Sequence, residues 1–293
     1  MLQFEIKKRT RLKSQANWGN IFQFVSMLFV ACAILSGCVF GEHDPDEDSG
    51  RVKLLKSMNV EGFQYHDEYV NAHQVLECEY DEQNRLTKTK YVYLMEECLS
   101  EITNLTYNNA GELIKLISIT YDDCEGEDRN PDAEIRNFTK RGNILEFPNS
   151  GTTFYVELNN EGLPIKWEHE YLQGSLYNSK VIWEYQNGNL SKEIRTNLGK
   201  TVTTTFMYDD KKSPLLHCKT PKWFFVFTTP IWYGLTSGLE NNLTKVLSED
   251  EFGEKVYTYD KDGYPISATI VSEGDGKDTF PFTATITYTY ITK

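Results

Sequence analysis

The chain predicts an all-β domain, an antiparallel meander of repeated hairpins that bends into a curved sheet or a barrel-like form. Three observations predict it. A turn phrase recurs along most of the sequence, apolar and polar residues alternate between the turns, and no segment of useful length shows a helical period. Composition agrees, since 18 Tyr and 16 Phe among 293 residues suit a pleated, half-buried surface.

The clearest copy of the phrase is Tyr257-Thr258-Tyr259-Asp260-Lys261-Asp262-Gly263-Tyr264-Pro265-Ile266. Tyr257 and Tyr259 point one way and Thr258 the other. Asp260 to Gly263 supply the turn, with Gly free to take positive φ. Degenerate copies span 78–86, 105–113, 138–144, 156–165, 183–190 and 206–215. Taking the Gly, or the residue in its place, as phase, the turns fall at 84, 111, 142, 162, 188, 212 and 263. A spacing near 25 residues is what two strands and two turns occupy. The last gap, 51 residues, is about two units and predicts one copy that has drifted beyond recognition.

From the N-terminus, the first residues are polar and basic, with Lys7, Lys8, Arg9, Arg11 and Lys13. An apolar run from Ile21 to Leu35 follows, too short for a comfortable membrane span. It ends in Leu35-Ser36-Gly37-Cys38, the order of a lipobox. Residues 1–37 are therefore expected to be a lipoprotein signal peptide, with Cys38 acylated after cleavage. The competing readings are an ordinary signal peptide or an inner-membrane anchor with a chance Cys.

Residues 38–56 are expected to be the lipidated Cys and an acidic flexible tether, since Glu42 to Gly50 hold five acids and no apolar residue. An acidic patch at this place resembles the surface-export signal of Bacteroidota lipoproteins, which implies an outer-membrane anchor facing the cell exterior. Residues 1–37 carry five basic groups and one acid. Removing them takes the net charge from −13 to −17. Such a balance argues against nucleic acid as a partner, and against anionic headgroups. The membrane is expected to be reached through acyl chains alone.

Residues 57–293 are expected to form the β-domain. Residues 57–75 fit short strands or a loosely ordered lead-in. Leu76, Cys78 and Tyr80 then share a face against Glu77 and Glu79. The run Leu113 to Tyr121 is apolar on both faces. Ile165, Trp167, His169 and Tyr171 make another row, and Val202, Thr204, Phe206 and Tyr208 oppose Thr203, Thr205 and Met207. At the end of the chain, Ala284, Ile286, Tyr288 and Tyr290 alternate with four Thr.

The mature chain keeps Cys78, Cys98, Cys124 and Cys218 besides Cys38. Cys98 and Cys124 flank the hairpin that turns near Gly111, which brings them to its open end and makes them a disulfide candidate. Four buried free thiols are the alternative. One stretch breaks the rhythm, Pro221 to Leu235, rich in aromatics and poor in charge. It reads as a core strand or a lid over one end of the sheet. Alternatively Trp223, Trp232 and Tyr233 form an aromatic platform that stacks on sugar faces.

The Tyr-Asp-x-x-Gly-x-Leu phrase is similar to the YD repeats of Rhs-type shells. It resembles more closely a family of Bacteroidota lipoproteins of unknown function with a porin-like β-fold. The lipobox, the acidic tether, the hairpins and the late segment Gly238-Leu239-Glu240-Asn241-Asn242-Leu243-Thr244-Lys245 carry that resemblance, over roughly residues 58–293. It implies a curved or closed antiparallel sheet and no reaction. The outward rows would carry Glu and Lys, which favours a water-soluble barrel over a spanning one.

Chemistry is sparse. Asp260 to Gly263 is explained as a hairpin turn rather than a calcium loop. The acids from Asp122 to Asp128 lack a ligand spacing, and His66, Asp67, Glu68 and His73 make only a weak metal set. No nucleophile elbow, phosphate loop or zinc-protease motif is present, so no catalytic residue, metal or cofactor is assigned. The expected function is a non-catalytic binding or scaffold lipoprotein for a glycan or an envelope or host protein. The alternative is a hydrolase of a polysaccharide or envelope polymer that uses carboxylates in a β-groove.

Overall fold

The structure, a computed structural model, describes residues 52–65, 68–94, 98–121, 131–149, 152–170, 178–197, 199–227, 239–248, 252–272 and 282–293. The strands are β1 (Lys53–Tyr65), β2 (Glu68–Tyr80), β3 (Leu86–Leu94), β4 (Cys98–Tyr107), β5 (Leu113–Tyr121), β6 (Asp132–Asn137), β7 (Thr139–Arg141), β8 (Ile144–Asn149) and β9 (Thr152–Leu158). They continue as β10 (Pro164–Glu170), β11 (Asn178–Gln186), β12 (Asn189–Asn197), β13 (Lys200–Tyr208), β14 (Leu243–Leu247), β15 (Phe252–Tyr259), β16 (Pro265–Ser272) and β17 (Phe282–Thr292). One helix, α1 (Lys222–Phe227), lies between β13 and β14. β1 begins inside the stretch expected to be tether, so Lys53–Lys56 already belong to the sheet.

Neighbours in sequence pair antiparallel, and β17 returns to β1, so the 17 elements form one nearly closed barrel. Parity explains the odd count. A closed ring of alternating strands needs an even number of staves. β6 pairs with β5 and β7 with β8, and the two follow each other in one line broken at Phe138. They act as one stave of sixteen, and the break is the ring's single discontinuity among the described residues.

The turn chemistry sets the register. Asp81, Asn108, Asn159 and Asp260 each accept, on Oδ1, the N–H groups two and four residues on, at 2.9–3.0 Å. The fourth turn residue takes positive φ in each: Asn84, Gly111, Gly162 and Gly263. This is a type I turn closed by a left-handed bulge residue. All such turns join an even-numbered stave to the next, so they lie on one rim. The start of β1 and the end of β17 meet there too, with Val52 and Lys293 exchanging backbone hydrogen bonds at 2.9–3.0 Å.

A tyrosine ladder binds the same rim. The hydroxyls of Tyr80, Tyr107, Tyr185, Tyr208, Tyr257 and Tyr290 donate to the carbonyls of Leu55, Leu86, Pro164, Leu190, Leu243 and Pro265, all at 2.6–2.9 Å. Each bond ties the end of one strand to the start of the preceding one. The recurring Tyr of the sequence phrase is thus a clamp between staves.

The long gap between the last two turns does not hold a drifted copy. It holds an insertion. Asp209 N–H donates to the Asn242 carbonyl at 3.1 Å, and Asp209 Oδ1 accepts Lys211 N–H and Asn242 N–H. Asp81 makes the same bonds with Gln83 and Arg85. Asn242 therefore fills the turn position four residues after Asp209, although it lies 33 residues away, so 29 residues are inserted into one hairpin turn. The described residues of the insertion, 213–227 and 239–241, cover the rim as a cap. Lys219 N–H bonds Asn84 O, Thr220 Oγ1 accepts from Leu86 N–H, and Lys212 N–H bonds Gly263 O.

The core fills the barrel lumen. Leu76 and Cys78 of β2, Leu116 of β5, Val181 and Trp183 of β11, Phe206 of β13, Ala268 and Ile270 of β16, and Ile286 and Tyr288 of β17 are buried on the inner face. From the cap, α1 buries Trp223, Phe224, Phe225 and Val226 in the same cluster. An aromatic file runs from Trp223 to Phe138, Phe147, Phe154 and Trp167, with centroids 4.9–5.9 Å apart. The outer face carries polar and charged rows, with Ile135, Tyr155, Met207 and Val256 exposed among them. It carries the pairs Lys88–Glu79, Lys192–Glu184 and Lys166–Glu168–Lys180 at 2.7–3.0 Å, the pair Lys245–Glu254, and the Thr row of β17. No helix among the described residues is long and apolar enough to cross a membrane.

Candidate functional site

The insertion creates a groove where it meets two turns of the rim. It is an open depression of about 610 Å³ between Glu161, the Asn187-Gly188 turn, Asp210 to Lys212, Leu216, Lys222, Glu240 and Asn241. Asn189 builds it. This buried side chain at the start of β12 accepts Glu240 N–H at 2.9 Å and Asn241 N–H at 3.2 Å, and donates to Asn241 Oδ1 at 3.0 Å. Asn241 Nδ2 in turn donates to Lys211 O, which joins the two limbs of the insertion. Gly188 is required at the floor. Its φ is +75°, and a Cβ there would stand 2.6 Å from Glu240 Cγ.

The groove walls are charged and mostly self-paired. Lys222 Nζ meets Glu240 Oε1 at 2.6 Å, and Lys211 meets Asp210 at 3.1 Å. Lys212 lies 5.3 Å from the centre of the Tyr264 ring, within cation–π range. Among the described residues, Leu216 is the one aliphatic side chain in the lining, and no hydroxyl, thiol or imidazole lines it. Such a surface can hold a polar chain by hydrogen bonds and ion exchange. Its described residues do not present a nucleophile with a base beside it.

Polar groups also face the lumen. Glu101 accepts from Thr103 and Ser118 on β4 and β5. Glu193 is buried on β12, accepting Trp183 Nε1–H at 2.9 Å and Arg195 at 2.8 Å. Lys255 is buried on β15 opposite Ile270, and loss of hydration lowers its ammonium to about 7. β4 and β12 lie on nearly opposite sides of the ring, so the two carboxylates belong to separate walls.

The residues singled out in the sequence fall in three places. Trp223 is 4% exposed and packs on Phe138 inside the cap, so its indole serves the core there. The described part of the stretch around it, 221–227, is a lid rather than a strand, and six of its residues form α1, too short to register as a helical period. Cys38, Trp232, Tyr233 and Cys124 lie outside the described residues, as do the side chain of Cys98 and the acidic run 122–128. Of the weak metal set, His73 Nε2 is hydrogen-bonded to Asn59 Oδ1. Among the described residues no three His, Cys, Asp or Glu converge on one point. The groove itself was not foreseen, because its lining comes from three separate turns; only Asn187-Gly188 and the Asn241-Asn242 pair were conspicuous locally.

No protein-family description matches the chain, and no curated protein matches its sequence. Among solved structures it is similar to a porin-like protein from Bacteroides uniformis, at 12% identity over 81% of this chain and 98% of that one, with a TM-score of 0.38. It is also similar to a porin-like protein from Bacteroides vulgatus, at 11% identity over 82% and 99%, with a TM-score of 0.36.

Proposed function

We propose that this chain is an outer-membrane lipoprotein, anchored by acyl chains on Cys38, whose barrel stands in water as a non-catalytic binding or scaffold module. The observation that carries the reading is the polarity of the wall. A spanning barrel puts apolar residues outside and water or polar groups within, and a Lys at mid-bilayer costs it about 2–4 kcal/mol. Here the aromatic and aliphatic rows face inward, and Lys–Glu ladders face outward. Among the described residues, a filled lumen and a capped rim leave no conduit for solute at that end.

The chain enters β1 at the capped rim, where Lys53 bonds Asp260 and Asp262 of the neighbouring turn. In this reading the tether joins the barrel at the capped rim. The acidic tether directs the protein to the cell exterior. The ligand is a glycan or an envelope or host protein, with the rim groove as the contact defined by the described residues.

The test uses the mature chain with Cys38→Ser, titrated calorimetrically with oligosaccharides and acidic polymers, while the same mixtures are followed by chromatography. Binding without product release supports a binding module. Release of shorter products over time would refute it in favour of hydrolysis.

A further inference from the structure

The cap is fastened to the barrel at the β2–β3 hairpin, and a thiol stands on each side of that junction. Cys78 is buried on the inner face of β2, opposite Thr89 and two residues before Tyr80. Cys218 belongs to the cap, with its N–H on the Leu215 carbonyl at 2.9 Å. The residues after it, Lys219 and Thr220, bond Asn84 and Leu86 of the hairpin at 2.9 and 2.8 Å. Thr220 also meets the Tyr107 hydroxyl at 3.0 Å, so this part of the cap is fixed from three directions.

These contacts place Cys218 beside the β2–β3 hairpin whose first strand carries Cys78. The Cys218 sulfur faces the N–H groups of Leu86 and Thr220. Leu86 is the cross-strand partner of Tyr80, which stands two residues after Cys78 on the same face of β2. Cys218 thus sits over the Tyr80–Leu86 row, and Cys78 is the next inward-facing residue of the same strand, about 7 Å further along. Cys78 belongs to the buried apolar core and Cys218 packs against that core, and both are free thiols in this structure. Burial pushes both thiols up, and a charge on Cys218 pushes Cys78 further.

We propose that Cys78 and Cys218 are a disulfide-forming pair, which in an oxidising compartment locks the inserted cap to the barrel wall. The oxidant is a small-molecule disulfide, acting by thiol–disulfide exchange. Cys218, the less buried of the two, loses its proton, and its thiolate attacks one sulfur of the oxidant. The first thiolate leaves, and a mixed disulfide remains on Cys218. Cys78 then loses its proton and attacks the Cys218 sulfur, expelling the second thiolate. The protein pair gives up two electrons and two protons, and the oxidant ends as two thiols. Because both thiols are raised, the reaction quickens as pH rises above neutrality. The bond closes a loop from 78 to 218, long enough to restrict the unfolded chain strongly.

The experiment treats the full mature chain with oxidised glutathione, alkylates it, and digests it without reduction. Mass spectrometry is expected to find a peptide linking Cys78 to Cys218. The unfolding midpoint should rise by roughly 5–15 °C, fall back on adding dithiothreitol, and not rise in Cys218→Ser. Wild type alone decides the pairing, so a poorly folding variant leaves the test intact. Recovery of Cys218 as the glutathione adduct, or bonded to Cys98 or Cys124, would overturn the proposal. So would a link that forms only in denaturant.

Discussion

Which face of the wall meets water can be tested with one substitution on each side of adjacent strands. Val256 of β15 is 62% exposed, flanked on its own face by Glu254 and Thr258 and across from Thr269. Ala268 of β16 is 1% exposed, between Tyr257 and Ile286 on the inner face. Val256→Lys places an ammonium in water among polar neighbours, so only strand propensity is lost, less than about 1 kcal/mol. Ala268→Lys drives a longer, charged side chain into packed aromatic surface. Overpacking and an unpaired buried charge together exceed about 4–5 kcal/mol, enough to unfold many domains. The assay is urea unfolding of the Cys38→Ser mature chain without detergent, followed by tryptophan fluorescence. Loss of about 2–4 kcal/mol in Val256→Lys, with Ala268→Lys tolerated, would mean that the faces are inverted and would refute the reasoning.

Three further outcomes follow from the same geometry. Tyr185→Phe and Tyr290→Phe each remove one hydroxyl–carbonyl clamp; each should cost about 1 kcal/mol in urea unfolding, additively because the sites are far apart on the ring. Lys255→Met should be more stable than wild type below neutral pH. The folded Lys255 titrates at about 7 against 10.5 unfolded, so its penalty of about 4–5 kcal/mol is full below pH 7 and fades as pH rises toward 10.5; a gap independent of pH would contradict this. Deleting residues 213–241 leaves Asp209-Asp210-Lys211-Lys212-Asn242, a five-residue turn like Asp81 to Arg85. Amide exchange should show β13 and β14 still paired in that variant but the protein destabilised by loss of α1, whereas loss of the β13–β14 pairing would show that the insertion is no insertion.

Local chemistry made much of the fold legible. Asp260 and Gly263, or Asn159 and Gly162, stand three residues apart, and the turn closes on itself, so the sequence phrase suffices. The alternation from Ala284 to Tyr290 likewise reports its own two faces. The turn at Asp209 was read as ordinary because its first half is intact, while its second half, Asn242, arrives 29 residues late. α1 was hidden because a six-residue helix buried at Trp223, Phe224, Phe225 and Val226 is apolar on nearly every side. Closure through β1 and β17 joins the two ends of the domain, and no local signal encodes it. The rim groove needs Asn189 to reach Glu240, 51 residues on, so its charges looked like solvated loop residues. Glu193 and Arg195, which alternate with Lys192 and Ile194, gave no hint that the carboxylate sits under Trp183.

The most direct test of a water-facing, core-filled barrel is the behaviour of the Cys38→Ser mature chain with no detergent present, mixed with phospholipid vesicles and separated by flotation. The account predicts a folded protein that stays in the aqueous fraction and adds no conductance to a planar bilayer. Aggregation until detergent is added, or flotation with the vesicles together with conductance, would contradict it.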